Sequence, residues 1–182
     1  DLGLTFTGVN YYDGQGFMVP KSLGVSSAKE LDGATVCIQT GTTTELNLAD
    51  YFRKNNISYE PVPIETNAEA QQQYLAGACD VYTTDASGLA ATRATFEAPG
   101  DHVILPEIIS KEPLGPLVRH GDAEWGDIVR WTLNALIAAE ELGISSTNIE
   151  ELSAGTNNPE INRILGTEGT LGEMLGLDNE WA

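Results

Sequence analysis

Basic residues are scarce in this chain. Only 9 of its 182 residues are Lys or Arg, against 27 Asp and Glu, which gives a formal net charge of -18. A surface of that sign repels nucleic acid and anionic membranes. The composition therefore predicts no nucleic-acid partner, and it indicates an acidic, well-solvated protein.

Long apolar runs are also missing. No stretch approaches the roughly 18 or more apolar residues that a transmembrane helix needs, so we expect no membrane insertion. Hydrophobic residues still make up 41% of the chain, enough for one good core and a small second one. The sequence starts at Asp1 without Met and without a basic-then-apolar leader, which predicts a mature form or a segment of a longer protein.

The motifs of common catalytic and metal sites are absent. There is no GxxxxGK[ST] phosphate loop, no GxSxG nucleophile elbow and no HExxH zinc motif. His102 and His120 are widely spaced, and neither Cys37 nor Cys79 belongs to a CxxC pair. We therefore expect no catalytic residue, no metal and no cofactor. The two cysteines lie in apolar segments, where buried free thiols and a disulfide are both open alternatives.

Among the residues present, the most informative are a glycine and three threonines that follow a short apolar strand. Residues 36–39 predict the strand, and TGTTTE at residues 40–45 leads into a helix. The first N–H groups of a helix have no intrahelical partner and lie at the positive end of its dipole, so this junction favours a carboxylate or phosphate. Gly41 would permit the tight turn. Thr42-x-x-Glu45 is also a capping box, a role compatible with ligand contact.

A second predicted strand, at residues 80–84, ends at the carboxylate of Asp85. Ligands collect at the carboxyl ends of strands in α/β sheets, which favours a binding role for this side chain. The alternative is that Asp85 is only the N-cap of a helix that begins at Ala86. Hydrogen-bond donors at one strand end and a negative charge at the other together suit a zwitterion.

The order of strand and helix signals predicts an α/β fold. Strands are expected at residues 16–19, 36–39, 58–64, 80–84 and 103–105, and helices at 45–55, 67–75 and 86–96. Pro61 and Pro63 place the third strand at a sheet edge, and Leu46, Ala49 and Phe52 are predicted to form the buried face of the first helix. This rhythm predicts a mostly parallel sheet with helices on both faces.

The remaining third of the chain has a different character. Residues 111–118 contain two prolines and predict an extended connector. A long amphipathic helix is expected from Asp122 to a stop at Gly143, with Trp125 and Trp131 in the core. Short helical pieces are expected after it.

Four motifs follow one another in a fixed order along the chain: YYDGQGFMV (residues 11–19), AKELDG (28–33), VCIQTGTTTE (36–45) and YTTD (82–85). In this order they resemble motifs of the periplasmic amino-acid-binding proteins of ABC importers, most of all the general L-amino-acid-binding branch. The resemblance implies a type II periplasmic-binding-protein-like clamshell without enzyme activity. Such a protein would capture a free polar L-amino acid in the periplasm of a Gram-negative cell and deliver it to an ABC permease in the inner membrane.

The same resemblance implies a domain division. Residues 1–20 would form the end of lobe 1 and the first hinge strand, residues 21–111 lobe 2, and residues 112–182 the second hinge strand and the C-terminal helical part of lobe 1. The family carries a further lobe 1 segment ahead of these motifs, with an aromatic and an arginine that contact the ligand. We therefore expect a fragment with an incomplete lobe 1.

The resemblance also implies the ligand-binding residues. Gln39, Gly41, Thr42 and Thr43 would contact the ligand from the loop, and Asp85 would accept its α-ammonium group. Lys111 and Glu112 are expected to line the second hinge rather than to contact the ligand.

The resemblance also bears on the two cysteines. Cys37 and Cys79 would lie on neighbouring strands in an oxidising compartment, which predicts a disulfide between them.

Two alternative functions remain open. One is a periplasmic dehydratase of the cyclohexadienyl or arogenate type, which uses the same fold, and the other is the ligand-sensing domain of a receptor.

Overall fold

A computed structural model describes residues 2–182. The chain divides into two compact units, of which one consists of Tyr12–Pro113 and the other of the residues up to Tyr11 together with Leu114–Ala182. The described strands are β1 (Leu4–Phe6), β2 (Tyr11–Asp13), β3 (Gln15–Pro20), β4 (Ala34–Gln39), β5 (Tyr59–Ile64), β6 (Val81–Asp85), β7 (His102–Ile104), β8 (Glu112–Leu114) and β9 (Leu117–Arg119). The described α-helices are α1 (Thr43–Asn55), α2 (Asn67–Leu75), α3 (Ala86–Ala94), α4 (Ala123–Glu141), α5 (Ile149–Ser153), α6 (Pro159–Ile164) and α7 (Leu171–Met174).

The unit formed by Tyr12–Pro113 is built on a five-stranded sheet in the order β5-β4-β6-β3-β7. Strand β4 runs parallel to both β5 and β6, whereas β3 runs antiparallel to β6 and β7. The α/β prediction is confirmed, and so is the edge position of the proline-containing strand β5. The sheet is mixed because β3 runs antiparallel to both of its neighbours, β6 and β7, a direction that the strand pattern alone did not reveal.

Alternating side chains of the strands feed two apolar clusters, one on each face of this sheet. Phe17 and Val19 of β3 belong to one cluster and Met18 to the other, as expected for successive residues of a strand. Helix α1 covers the first face through Leu48 and Phe52. Helices α2 and α3 contribute to the second cluster, which confirms that helices cover both faces.

Of the predicted buried face of α1, Phe52 is confirmed and Leu46 is wrong. Leu46 is 67% exposed, and the buried residues of this helix are Leu48 and Phe52. These two lie four positions apart on one face, whereas Leu46 precedes Leu48 by two positions and lies on nearly the opposite side. Helix α2 spans the predicted residues 67–75, and its N-cap is Thr66, whose Oγ1 accepts a hydrogen bond from the N–H of Glu69 at 3.2 Å.

In the other unit, β1 pairs antiparallel with β9, and α4 follows. Asp122 caps this helix by accepting a hydrogen bond from the N–H of Trp125 at 2.9 Å. The predicted core role of the two tryptophans is wrong, because Trp125 is 53% and Trp131 52% exposed. Among the described residues of α4 only Gly126 and Leu133 are buried, whereas Trp125, Trp131, Leu136 and Ile137 of its apolar face are exposed.

The extended connector predicted near residues 111–118 contains β8 and β9, and β8 pairs with β2. Residues 15–20, predicted to contain the first hinge, form β3 inside the five-stranded sheet. Hinge motion at either segment stays a prediction. None of the helices within residues 2–182 has both the length and the hydropathy required to span a bilayer.

Candidate functional site

The loop between β4 and α1 folds as a capping box. Thr42 Oγ1 accepts a hydrogen bond from the N–H of Glu45 at 3.3 Å and donates one to the carbonyl of Gln39 at 2.7 Å. The Glu45 carboxylate reaches back to accept the N–H of Gly41 at 2.8 Å. Gly41 has a φ of 72°, in the left-handed region that favours glycine. The capping role predicted for Thr42 and Glu45 is therefore present in the structure.

The other predicted loop residues lie on the surface. Gln39 is exposed and donates from Nε2 to the carbonyl of Glu65 at 3.0 Å, which connects the ends of β4 and β5. Gly41 and Thr43 are also exposed, at the start of α1. The first N–H groups of this helix point out of its end without intrahelical partners. This loop therefore presents accessible donors to an anion.

Asp85 ends β6 and stands at the N-cap position of α3 without acting as a cap. Among the described residues, its carboxylate accepts no capping hydrogen bond from α3. The alternative role offered by the sequence, in which Asp85 serves only as the N-cap of α3, is therefore wrong. The carboxylate is half-buried at the carboxyl end of its strand.

Burial raises the pKa of Asp85 to about 6, and a hydrogen bond with Glu112 and the negative charges of Glu112 and Asp13 add to the effect. Each of these causes disfavours the ionised carboxylate. A cation placed against Asp85 would oppose all of them. The side chain is therefore suited to binding an ammonium group.

Asp13 sits beside Asp85 in a different environment. Its carboxylate is buried and accepts hydrogen bonds from the N–H of Gly14 at 2.8 Å and from the N–H and hydroxyl of Ser87. Burial acts to raise the pKa of Asp13, but the hydrogen bonds from Ser87 and Gly14 outweigh it and lower the pKa. Asp13 is thus a fixed negative charge held by the start of α3.

Glu112 completes this group of carboxylates. Its Oε1 accepts a hydrogen bond from Ser110 Oγ at 2.6 Å, and the same oxygen of Ser110 accepts the N–H of Gln15 at 2.8 Å. Sequence reasoning placed Glu112 at a hinge and did not single out Asp13, Ser110 or Gln15. The available signal was the position of Asp13 and Gln15 within YYDGQGFMV, although nothing in that string shows that they meet the end of β6.

The two predicted halves of the site lie at the same edge of one sheet. Strands β4 and β6 are adjacent and parallel, with Cys37 of β4 in register with Tyr82 of β6. Because the carboxyl ends of parallel neighbours lie at the same sheet edge, the loop after β4 and Asp85 after β6 are brought together. The predicted residues Gln39, Gly41, Thr42 and Thr43 share one loop, and Asp85 lies on the next strand.

The disulfide prediction is confirmed. Cys37 and Cys79 are bonded, with Cα atoms 5.6 Å apart and 42 residues of sequence separation. The bond joins β4 to the residue pair that precedes β6, and so connects the strand of the loop with the strand of Asp85. Within residues 2–182 no group of three or more His, Cys, Asp or Glu side chains is arranged to hold a metal ion.

Comparison with curated proteins finds close relatives over the whole chain. It is 68% identical over 182 residues to the glutamate/glutamine/aspartate/asparagine-binding protein BztA of Rhodobacter capsulatus and 58% identical over 183 residues to the general L-amino acid-binding periplasmic protein AapJ of Rhizobium johnstonii. The chain accounts for 54% and 53% of these proteins, so it spans about half the length of the curated relatives that it matches. No family model matches.

Solved structures give the same picture. A periplasmic binding protein of an ABC transporter from Brucella ovis, with glutathione bound, is 55% identical with a TM-score of 0.91, and the match covers 98% of this chain and 57% of that one. An ancestral arginine-binding protein bound to arginine is 25% identical with a TM-score of 0.57, over 81% of this chain and 63% of that one. The predicted type II periplasmic-binding fold is confirmed by these similarities.

Proposed function

We propose that this chain, which belongs to the amino-acid-binding proteins of ABC transporters, forms part of a solute-binding protein that captures polar L-amino acids in the periplasm of a Gram-negative cell. The relatives are binding proteins and not enzymes by their names, which supports a role without catalysis. The ligand would be handed to an ABC permease in the inner membrane. Because the chain spans about half of its relatives, this activity is proposed for the whole protein to which such a chain contributes.

Asp85 is the observation that carries the proposal. It is a half-buried carboxylate at the carboxyl end of a strand, crowded by two further carboxylates and not engaged as a helix cap. A ligand ammonium group would compensate the desolvation and the repulsion that raise its pKa. We assign Asp85 as the acceptor for the α-ammonium of the amino acid.

The loop after β4 would bind the opposite end of the ligand. The N–H groups of Thr42 and Thr43 and the hydroxyl of Thr43 are donors at the start of α1, where the helix dipole favours a carboxylate. The N–H of Gly41 and the hydroxyl of Thr42 donate to Glu45 and Gln39 and would exchange these partners for the ligand. Gln39 would contact the ligand beside them. Donors at the loop and an acceptor at Asp85 match the two charges of an α-amino acid.

Ligand capture in a two-lobed protein depends on contacts that exist only in the closed form. A ligand that binds the closed state more tightly shifts the equilibrium toward it by that difference in affinity. The closed form would then be the species that docks on the permease.

Binding is best tested by NMR titration of the ¹⁵N-labelled 182-residue chain with L-glutamine at millimolar concentration. We expect shift changes that grow with L-glutamine concentration at the amides of Gly41, Thr43 and Asp85. In the Asp85→Asn variant they should be weaker, by up to about 1 kcal/mol of binding free energy in this chain, where the charge pair stays in water. In the whole protein, where the pair is desolvated, the same substitution should cost roughly 2–5 kcal/mol. Asp101→Asn, an exposed acid of the same unit, is the matched control and should bind as the wild type does. Unchanged binding by Asp85→Asn would contradict the assignment.

A second ligand class is favoured by the bound glutathione in the Brucella ovis relative. The γ-glutamyl end of glutathione carries a free α-ammonium and a free α-carboxylate, so it offers the same two charges as an amino acid. We propose that the site also accepts γ-glutamyl peptides through this end. Titration with glutathione and with S-methylglutathione, followed at the same three amides, tests this extension, and shifts with L-glutamine alone would reject it.

A further inference from the structure

Gln15 is the most deeply buried polar side chain near the proposed site. It is the first residue of β3, is 0% exposed, and is in register with Asp85 across the β3–β6 pair. Its side-chain Nε2 donates to the carbonyl of Thr44 at 3.1 Å and to Thr83 Oγ1 at 2.9 Å. One amide therefore connects the first turn of α1 with β6.

The orientation of this amide is fixed by its neighbours. The carbonyl of Thr44 can only accept a hydrogen bond. The hydroxyl of Thr83 donates its hydrogen to the carbonyl of Gly16 at 2.7 Å, so toward Gln15 it can only accept. Both contacts therefore require the NH₂ group of Gln15, and they use both of its hydrogens. Within the described chain Oε1 is buried without a hydrogen-bond partner.

A buried acceptor without a partner is unfavourable, so this glutamine is a poor choice if its role is stability alone. A methionine would fill the same volume without the orphaned oxygen. Loss of the Gln15 amide would leave no donor unpaired, because the hydroxyl of Thr83 keeps its bond to the carbonyl of Gly16. The other partner, the carbonyl of Thr44, is an acceptor and lies in helix α1. What a methionine could not supply is the connection between Thr44 and Thr83.

That connection joins the two elements that would hold the ends of the ligand. Thr44 follows the loop residues proposed to bind the carboxylate, and Thr83 lies on the same strand as Asp85, two residues earlier, so that their side chains share one face. We propose that Gln15 is a positioning residue that sets the separation between the start of α1 and Asp85. It thereby selects α-amino acids over analogues whose ammonium and carboxylate are further apart, an inference that rests on the proposed function.

The test compares L-glutamine with L-β-homoglutamine, which has the same side chain and one additional methylene between the two charged groups. Affinities are measured by NMR titration of the 182-residue chain at the amides of Gly41 and Asp85. We expect the wild type to prefer L-glutamine by roughly 10-fold or more, the effect of one misplaced methylene in a specific site. In Gln15→Met the preference should fall to about 3-fold or less, with thermal stability close to that of the wild type.

Gln71→Met is the matched control. Gln71 of α2 also donates from its Nε2 to a threonine hydroxyl, that of Thr92 at 3.3 Å, and its side chain hydrogen-bonds Tyr82 of β6. It thus contacts β6, but among the described hydrogen bonds it does not join β6 to α1 or to the loop before it. It should keep the full preference for L-glutamine. Thr83→Val removes the other end of the connection and should lower the preference as Gln15→Met does, which keeps the test valid if one of the two variants fails to fold.

Three outcomes separate the inference from the function on which it rests. Full preference retained in folded Gln15→Met and Thr83→Val would overturn the positioning role and leave the binding function intact. If the wild type binds neither probe at about 20 mM, binding by this chain alone is contradicted. The positioning role is then decided by the backbone order parameters of Gly41 and Thr43 without ligand. They should fall in Gln15→Met and stay unchanged in Gln71→Met, and equal values in all three proteins would reject it.

Discussion

The carboxylate of Glu45 accepts the backbone N–H of Gly41 at 2.8 Å. One of the donors that the loop offers to a ligand is thus occupied by a side chain of the same helix when no ligand is bound. Helix α2 starts in the same way, since Glu69 Oε2 accepts the N–H of Glu65 at 3.3 Å and Thr66 caps the N–H of Glu69. The two capping boxes are a matched pair, of which only the first lies at the proposed site.

This pair separates capping from ligand contact. Glu45→Ala should lower the free energy of unfolding by about 1 kcal/mol, because the N–H of Gly41, just ahead of the N-cap Thr42, loses its partner. The corresponding fall in the melting temperature is roughly 2–4 °C by thermal denaturation. Glu69→Ala should cost about as much. Neither variant should weaken binding of L-glutamine, and a loss of binding confined to Glu45→Ala would instead show that Glu45 contacts the ligand.

Asp85 should make the ligand-free protein less stable as the pH rises. Its pKa is raised from 3.8 to about 6 in the folded state, so the folded protein binds this proton more tightly than the unfolded chain does. Stability from this group is therefore present at low pH and is lost as the pH rises from about 4 through about 6. Asp85→Asn should stabilise the protein at pH 7 by on the order of 1–2 kcal/mol, after allowance for solvent screening.

Urea denaturation of the wild type and Asp85→Asn at pH 7 and pH 4 measures this difference. The advantage of the variant should shrink at pH 4, where Asp85 is already protonated in the folded wild type. A variant that is less stable than the wild type at pH 7 would mean that the ionised carboxylate is stabilised by a partner.

Binding of L-glutamine should weaken with acidification. Neither charged group of this ligand titrates between pH 5 and pH 7.5, so the dependence reports on the protein. An ammonium group competes with the proton on Asp85, and ligand binding should lower its pKa below about 6. Affinity should therefore fall by roughly 10-fold between pH 7.5 and pH 5. A pH-independent affinity in NMR titrations would exclude Asp85 as the ammonium acceptor.

The sequence predicted the elements around the site better than their packing. Strand ends at Gln39 and Asp85 follow from apolar runs and capping residues, which are local signals. The antiparallel direction of β3 is not local, because it depends on which strands pair. The exposure of Trp125 and Trp131 is a tertiary property as well, since the periodicity of α4 shows an apolar face but not whether another segment covers it.

The cluster around Asp85 shows the same limit in the site. Asp13 and Glu112 are 72 and 27 residues away from Asp85 in sequence, and each lies at the end of a different strand. Neither residue has a motif of its own. Their meeting is produced by the order of strands in the sheet and by the pairing of β2 with β8, so sequence spacing could not reveal it.

The disulfide should contribute substantially to the stability of the unit that contains it. Cys37 and Cys79 close a loop over 42 residues of sequence, which in the chain-entropy model corresponds to about 4 kcal/mol. The Cys37→Ala, Cys79→Ala double variant should be less stable than the oxidised wild type by about that amount in urea denaturation. Dithiothreitol should lower the stability of the wild type and leave the double variant unchanged. Alkylation of the unfolded wild type without reductant should label no cysteine, and labelling of both would contradict the bond.

The 182-residue chain on its own should bind amino acids weakly. All of the proposed contacts come from Gln39, residues 41–43 and Asp85, and the loop residues Gln39, Gly41 and Thr43 are exposed. Charge pairs that remain in water contribute only ~0–1 kcal/mol each. The chain also spans about half of the relatives that bind such ligands by name, so contacts from the other half of those proteins are not provided by the residues it matches. We therefore expect a dissociation constant of millimolar or weaker for L-glutamine, on the order of -4 kcal/mol at best. Isothermal titration calorimetry that gave micromolar affinity would show that this chain forms a complete binding site.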